Sequence, residues 1–353
     1  MPLGLNGCFL RSKWELYIDG LRGILGVCMV KRVAVTGGGG QIAYSLLFRI
    51  ANGELFGEKE AVALHILELP QVLERLNGVV MELEDCGFPH LESVKVGNDP
   101  EDVFEGVNVA ILLGSKPRRL GMERKDLLHE NGHIFVEQGS ALNRVAAKDV
   151  LVFVVGNPCN TNCLIAMHSA PSIPKERFHA MTRLDQNRAR VQLAKRAGRP
   201  VGSVKSISVW GNHSATQVPD FINATIDGHK VTDVIKDRAW LEGEFMQTVR
   251  ERGGAIIAAR GSSSAASAAS AVIDGVKALY YGGDQLFSSA IISDGNPYGI
   301  KEGLIFSFPC RRTYHTHAEI VGGLEWDPFL REEIARTEKE LLDERDSVRA
   351  LLL

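Results

Sequence analysis

A chain of 353 residues is longer than one hydrophobic core usually supports and points to two domains. Its apolar share of 45%, charged share of 24% and formal net charge of −3 are those of an ordinary soluble globular protein, and they give no electrostatic case for a nucleic-acid or membrane partner. No apolar run reaches the roughly 18 residues that a transmembrane helix needs, and the six cysteines are scattered in the manner of free cytosolic thiols.

Residues 1–28 read as an extra N-terminal extension. Arg11 and Lys13 precede a weakly apolar stretch, but Glu15, Asp19 and Arg22 interrupt it and no small-residue cleavage site follows, so a signal peptide is excluded and a cytoplasmic location is expected. Met29 stands just before the first strand, "RVAVT" (32–36), and a helix, "IAYSLLFRIA" (42–51), follows it. "AVALHILEL" (61–69) predicts a second strand, and "VLERLNGVVMELED" (72–85) is amphipathic at helical spacing. "NVAILLG" (108–114) and "DVLVFVVGN" (149–157) are two further strands, with a helical pattern from Arg124 to Ala147 between them. This alternation predicts a doubly wound parallel α/β sheet over residues 29–180, with ligands at the carboxyl ends of its strands. After residue 180 the pattern is mixed and predicts an α+β second domain over 181–353. It has a basic helix over 183–197, a strand "KSISVWG" (205–211), a helical run over 248–280 that contains a Ser/Ala tract, and a charged C-terminal helix over 329–350.

Between the first strand and its helix stand Gly37, Gly38, Gly39 and Gly40. A triphosphate cradle needs Lys-Ser/Thr next, and Gln41-Ile42 follows instead. A linker would not sit flush between a strand and a helix. The dinucleotide fingerprint fits in either of two registers, Gly38-x-Gly40-x-x-Ala43 or Gly37-x-x-Gly40-x-x-Ala43, with the helix opening at Gln41 and Ile42 presenting its amides to the pyrophosphate. The first domain is therefore expected to be of the Rossmann type. Glu68, ending the second strand, is the candidate partner of the adenosine ribose and favours NAD over NADP, because a 2′-phosphate would be repelled there.

Four stretches carry candidate chemistry. "GSKPRRLGMERK" (114–125) holds Lys116, Arg118, Arg119, Arg124 and Lys125 against one acid, and reads either as a solvated basic loop or as an anion clamp that closes over a small carboxylate or phosphate. "VVGNPCNTN" (154–162) places Asn157 beyond a strand end, beside the expected cofactor. "TRLDQNRA" (182–189) sets Asp185 and Arg188 three apart on one helix face, which is either a surface ion pair or a carboxylate orienting a histidine beside a guanidinium that takes a carboxylate. "SVWGNHSATQ" (208–217) supplies that histidine, His213, in a turn after an apolar strand. An imidazole with its ordinary pKa near 6.5 both accepts and donates a proton at neutral pH. Cys159 and Cys163 form C-x-x-x-C, and His315 and His317 form H-x-H, but neither pair has the further ligands of a metal site, so no metal is expected.

From about residue 30 to the C-terminus these stretches, with "GVVMELEDCGFP" and "SDGNPYGIKEGLIFSFP", resemble the cytosolic-type malate dehydrogenases of the lactate/malate dehydrogenase superfamily. The resemblance implies NAD-linked interconversion of malate and oxaloacetate, a step of the tricarboxylic acid cycle, by a homodimer. It implies that His213 is the acid/base and Asp185 its partner. Arg188 would hold the substrate's C1 carboxylate and Arg118 its distal carboxylate, while Arg124 and Asn157 would act on the reacting carbonyl. Asn131, Gln138 and the backbone of Val155, Gly156 and Asn157 match family NAD contacts. Residues 1–28 have no family counterpart, and Gly38 and Gly39 stand where relatives often carry alanine, which implies a looser turn with the same role.

A short-chain dehydrogenase or sugar epimerase opens similarly but needs Tyr-x-x-x-Lys, which none of the six tyrosines supplies. A lactate dehydrogenase gives Arg118 no partner, and a non-catalytic NAD-binding protein gives no reason for His213, Asp185 and three arginines.

Overall fold

The computed structural model describes residues 30–115, 124–283, 286–313 and 316–352, so the expectations placed on residues 1–28, on Arg118 and on Arg119 lie outside the described residues. Of Arg124 only the backbone, at the start of a helix, is described.

The expected alternation is present. Strands β1 (Lys31–Thr36), β2 (Val62–Leu67), β3 (Leu91–Gly97), β4 (Val109–Leu112), β5 (Leu151–Val154) and β6 (Phe178–Ala180) lie in the order β3-β2-β1-β4-β5-β6, every pair parallel. Helices α1 (Gln41–Ala51), α2 (Leu73–Asp85), α3 (Arg124–Val145) and α4 (Cys159–His168) connect them. The strands are apolar almost throughout because both faces are covered. Successive residues point to opposite sides, so Val33, Val35, Ile111 and Phe153 join one buried cluster while Ala34, Ala110, Leu112 and Val154 join the other.

The second half builds only two small sheets of its own, three two-residue strands at 204–205, 225–226 and 229–230 and a pair at 209–210 and 218–219, and adds its longer strands to the first sheet. β7 (Phe287–Ile292), β8 (Ile305–Arg312) and β9 (Ala318–Ile320) extend the first one antiparallel from β6, through the pair Ala290 and Ala180, to nine strands. Helix α5 (Arg183–Ala197) follows β6 directly. The helical run expected over 248–280 is two helices, α6 (Met246–Arg260) and α7 (Ala266–Tyr281), because Gly261 adopts a left-handed cap between them. The strand expected over 205–211 breaks into Val204–Lys205 and Val209–Trp210, with Ser206 at φ 54° in the gap. The C-terminal helix α8 spans Pro328–Ser347. No helix among the described residues is long and apolar enough to cross a membrane.

Candidate active site

The order in which strands are added reverses between β1 and β4, and the crevice at their carboxyl ends is where such sheets bind ligands. The two strand ends touch at bare backbone. Gly37 sits at φ +69°, and a Cβ there would lie 2.9 Å from the Gly114 Cα. The Gly114 amide donates to Thr36 Oγ1 at 3.0 Å and locks the approach. Gly38 and Gly39 do not loosen the turn as the comparison with alanine-bearing relatives implied. A Cβ on Gly38 would come within 2.2 Å of Ile66 Cγ2, and one on Gly39 within 2.7 Å of Val72 Cγ1, so these neighbours fill the space.

A dinucleotide fits this cradle. Helix α1 starts at Gln41 with no side-chain cap at Gly40 and no acidic residue in its first turn, leaving the amides around Gln41 and Ile42 for an anion. Glu68 stands at the end of β2 with Oε2 accepting from the Gly39 amide at 2.8 Å and Oε1 from the Leu69 amide at 2.8 Å, so the carboxylate is fixed beside the turn. Across the crevice, the Val155 and Gly156 amides both donate to the Leu112 carbonyl, at 2.9 and 3.0 Å. Asn131, fully buried on α3, donates from Nδ2 to the Asn157 carbonyl at 3.3 Å. Gln138, two turns further along the same face of α3, keeps its Oε1 buried with no hydrogen-bond partner among the described residues. Asn157 itself is exposed at the strand end and precedes a cis bond to Pro158.

The structure brings His213, Asp185 and Arg188 together. Asp185 enters on the first turn of α5 and is completely buried. One of its oxygens, Oδ2, meets His213 Nδ1, and the other accepts from Arg188 Nη1 at 3.3 Å. His213 and Arg188 are each only slightly exposed, at 15% and 13% of their side chains. Burial draws the Arg188 guanidinium below its ordinary pKa, while the Asp185 charge and hydrogen bond oppose that. Because Asp185 occupies Nδ1, Nε2 is the ring nitrogen left for a ligand. The carboxylate thus aligns a proton carrier on one side and a cation for an anionic ligand on the other.

Three supports of this triad were not legible in sequence. Asn160, fully buried on α4, accepts from the His213 amide at 3.0 Å and donates to the carbonyls of Gly211 at 3.2 Å and Ile305 at 2.9 Å. From α8, Glu340 and Glu344 both accept from Asn212 Nδ2 at 3.0 Å, and Thr337 Oγ1 accepts from the Asn212 amide at 2.9 Å. Gly211, at φ +89°, lets this helix close in, since a Cβ there would fall 2.1 Å from Thr337 Cγ2. Trp210 anchors the same loop by donating to fully buried Asp220 at 3.1 Å, a carboxyl that burial pushes up against the pull of its hydrogen bonds. The one available signal was the run Asn160-Thr161-Asn162, all buried inside a helix that is otherwise apolar. Asn162 uses Nδ2 to hold the Gly156 carbonyl at 2.8 Å.

Replacing Asn160 by Ala removes the acceptor of the His213 amide and the side-chain donor to the Gly211 and Ile305 carbonyls, the first of which keeps the Ser307 amide. We expect a loss of about 1–3 kcal/mol of stability and roughly tenfold in kcat, with NADH affinity unchanged. Denaturant unfolding and steady-state kinetics check both, and an unaltered kcat would remove Asn160 from the support of His213.

A cradle for a dinucleotide at the switch point, facing an imidazole held by a buried carboxylate, has the parts that hydride transfer at a hydroxyl-bearing carbon demands. The class of protein is a nicotinamide-dependent dehydrogenase. The chain belongs to the lactate/malate dehydrogenase family: residues 31–179 match its NAD-binding domain and residues 182–352 its alpha/beta C-terminal domain. It is 55% identical over 323 residues to a malate dehydrogenase of Protochlamydia amoebophila (strain UWE25), covering 91% of this chain and 98% of that one. Among solved structures it is similar to malate dehydrogenase from Naegleria fowleri, at 44% identity and a TM-score of 0.89 over 92% of this chain and 99% of that one. It is also similar to Trichomonas vaginalis lactate dehydrogenase in complex with NADH and oxamate, at 39% identity and a TM-score of 0.87 over 91% and 99%.

Proposed function

We propose that the chain is an NAD-dependent malate dehydrogenase, converting (S)-malate and NAD to oxaloacetate and NADH and the reverse. The observation that carries the reading is the buried Asp185 carboxylate shared between His213 and Arg188 beside the dinucleotide cradle. His213 Nε2 takes the proton of the malate hydroxyl during oxidation and returns it during reduction. Asp185 holds the ring so that Nε2 faces the substrate, and stabilises the imidazolium that forms. Arg188 grips the C1 carboxylate in two parallel hydrogen bonds. Arg118 takes the distal carboxylate, Arg124 polarises the reacting carbonyl and Asn157 bonds the same region. When bound, the nicotinamide supplies the hydride acceptor. Gly37, Gly38, Gly40, Gln41 and Ile42 cradle the pyrophosphate, Glu68 takes the ribose hydroxyls, and Asn131, Gln138 and the 155–157 backbone line the far side. The enzyme works as a cytoplasmic homodimer in the tricarboxylic acid cycle, as the family resemblance implies. Oxidation of NADH on adding oxaloacetate tests the function, and a protein that binds NADH without turning over would end it.

Cofactor choice follows from Glu68. A 2′-phosphate would bring like charge against a carboxylate already fixed by two backbone amides. Two like charges about 4 Å apart near a protein surface cost on the order of several kcal/mol before screening. NADH is expected to be used in strong preference to NADPH, and Glu68→Ser should narrow the ratio of kcat/KM values about tenfold. Equal use of both cofactors by the unmodified enzyme would contradict the assignment.

A further inference from the structure

Arg260 is the last residue of α6, and its side chain crosses to the first half of the chain. Its Nη2 donates to Gln41 Oε1 at 3.2 Å, and its Nη1 donates to the Ser263 carbonyl at 2.8 Å. Gln41 is the first residue of α1, directly after the glycine turn, so the guanidinium is tied to the side chain that opens the uncapped helix. No carboxylate pairs with Arg260 among the described residues, and the first turn of α1 carries no acid. A cation held at a helix N-terminus by a neutral amide is poorly matched electrostatically, since both bring positive charge to the same spot. A phosphate oxygen is a far stronger acceptor for it than the Gln41 amide.

We propose that Arg260 is a ligand of the cofactor's pyrophosphate, supplied across the crevice by the substrate half of the chain. The inference rests on the NAD reading above and adds a residue that the glycine turn does not contain. On binding, Nη2 exchanges Gln41 Oε1 for a phosphate oxygen while Nη1 keeps Ser263. The next residue, Ser264, receives Arg188 Nη2 at 3.4 Å. The turn from Gly261 to Ser264 therefore lies between the guanidinium on the cofactor's phosphates and the one on the substrate's carboxylate.

The test is calorimetric titration of the full-length protein with ADP-ribose, which carries the pyrophosphate but no nicotinamide and needs no turnover. Arg260→Gln is expected to weaken ADP-ribose and NADH alike by about tenfold, the size of one charge-assisted hydrogen bond. Arg260→Lys should lose only part of that. Raising the salt concentration should weaken binding less steeply in Arg260→Gln than in the unmodified protein. Because Arg260 is exposed, the unfolding temperature of the unliganded protein should not move. ADP-ribose affinity within twofold of normal in Arg260→Gln would overturn the proposal. So would a Lys variant as weak as the Gln variant, or a loss that tracks a lower unfolding temperature. Failure of the unmodified protein to reduce oxaloacetate would instead strike the function, leaving the effect of Arg260 on ADP-ribose affinity to be read independently.

Discussion

His213→Asn is expected to lower kcat for oxaloacetate reduction by about 10²–10⁴-fold, the usual worth of a positioned acid/base, and to leave the Kd for NADH nearly unchanged. Asparagine fills similar space and can still donate to Asp185, so the loop held by Asn160, Trp210 and α8 has little reason to move. What disappears is a group that exchanges a proton at neutral pH. Asp185→Asn gives a different signature. Its carboxylate serves the imidazole and the guanidinium at once, so its loss disturbs the orientation of the ring and also the seat of Arg188. We expect a fall in kcat of similar order together with an altered KM for oxaloacetate, whereas His213→Asn changes kcat alone. Stopped-flow NADH binding and steady-state kinetics on both variants separate the two patterns. Turnover of His213→Asn within tenfold of normal would show that the proton travels elsewhere.

The parts of the molecule that the sequence made legible are those whose information is local. Strands β1, β2, β4 and β5 are short apolar runs between helical periodicities, and the basic helix 183–197 begins and ends where the charge pattern and Gly198 place it. The edge strand β3, "LESVKVG", mixes charged, polar and apolar residues and carries no continuous apolar run, because none of its residues is fully buried. Strands β7 and β8 were hidden for another reason. Ser288 and Ser307 are core residues here, because each closes a hydrogen bond with Val209, at 2.9 and 2.6 Å. In sequence they look like loop. The site divides the same way. His213 is marked by its turn, and Asp185 and Arg188 by a spacing of three. Glu340 and Glu344 look like the solvated face of a charged helix, since their partner Asn212 lies more than a hundred residues away. Nor does periodicity reveal that Ile66 fills the space over Gly38.

The proposed role of Arg118, which lies outside the described residues and is assigned from its place in "GSKPRRLGMERK", makes substrate choice turn on this one side chain. Overall likeness does not decide the matter, since a malate dehydrogenase at 44% identity and a lactate dehydrogenase at 39% share the fold almost equally. The discriminating contact must be local. Oxaloacetate differs from pyruvate by one distal carboxylate, which a guanidinium meets with two parallel charged hydrogen bonds. With oxaloacetate the charges of the guanidinium and the distal carboxylate cancel. With pyruvate a guanidinium in the same position would be left desolvated and unpaired, a penalty of about 2–5 kcal/mol by analogy with broken buried charge pairs. Discrimination should then reach hundreds-fold or more, set by the missing partner rather than by pocket size. Arg118→Gln removes both the attraction and the penalty, so kcat/KM for oxaloacetate should fall by about that factor while the value for pyruvate holds or rises. Arg119→Gln, measured in parallel, should change neither by more than about twofold. If Arg119→Gln alone loses oxaloacetate, the neighbouring arginine faces the substrate instead. If neither variant moves the ratio, the distal carboxylate is not read by this segment and the preference for malate over lactate must be sought elsewhere in the crevice.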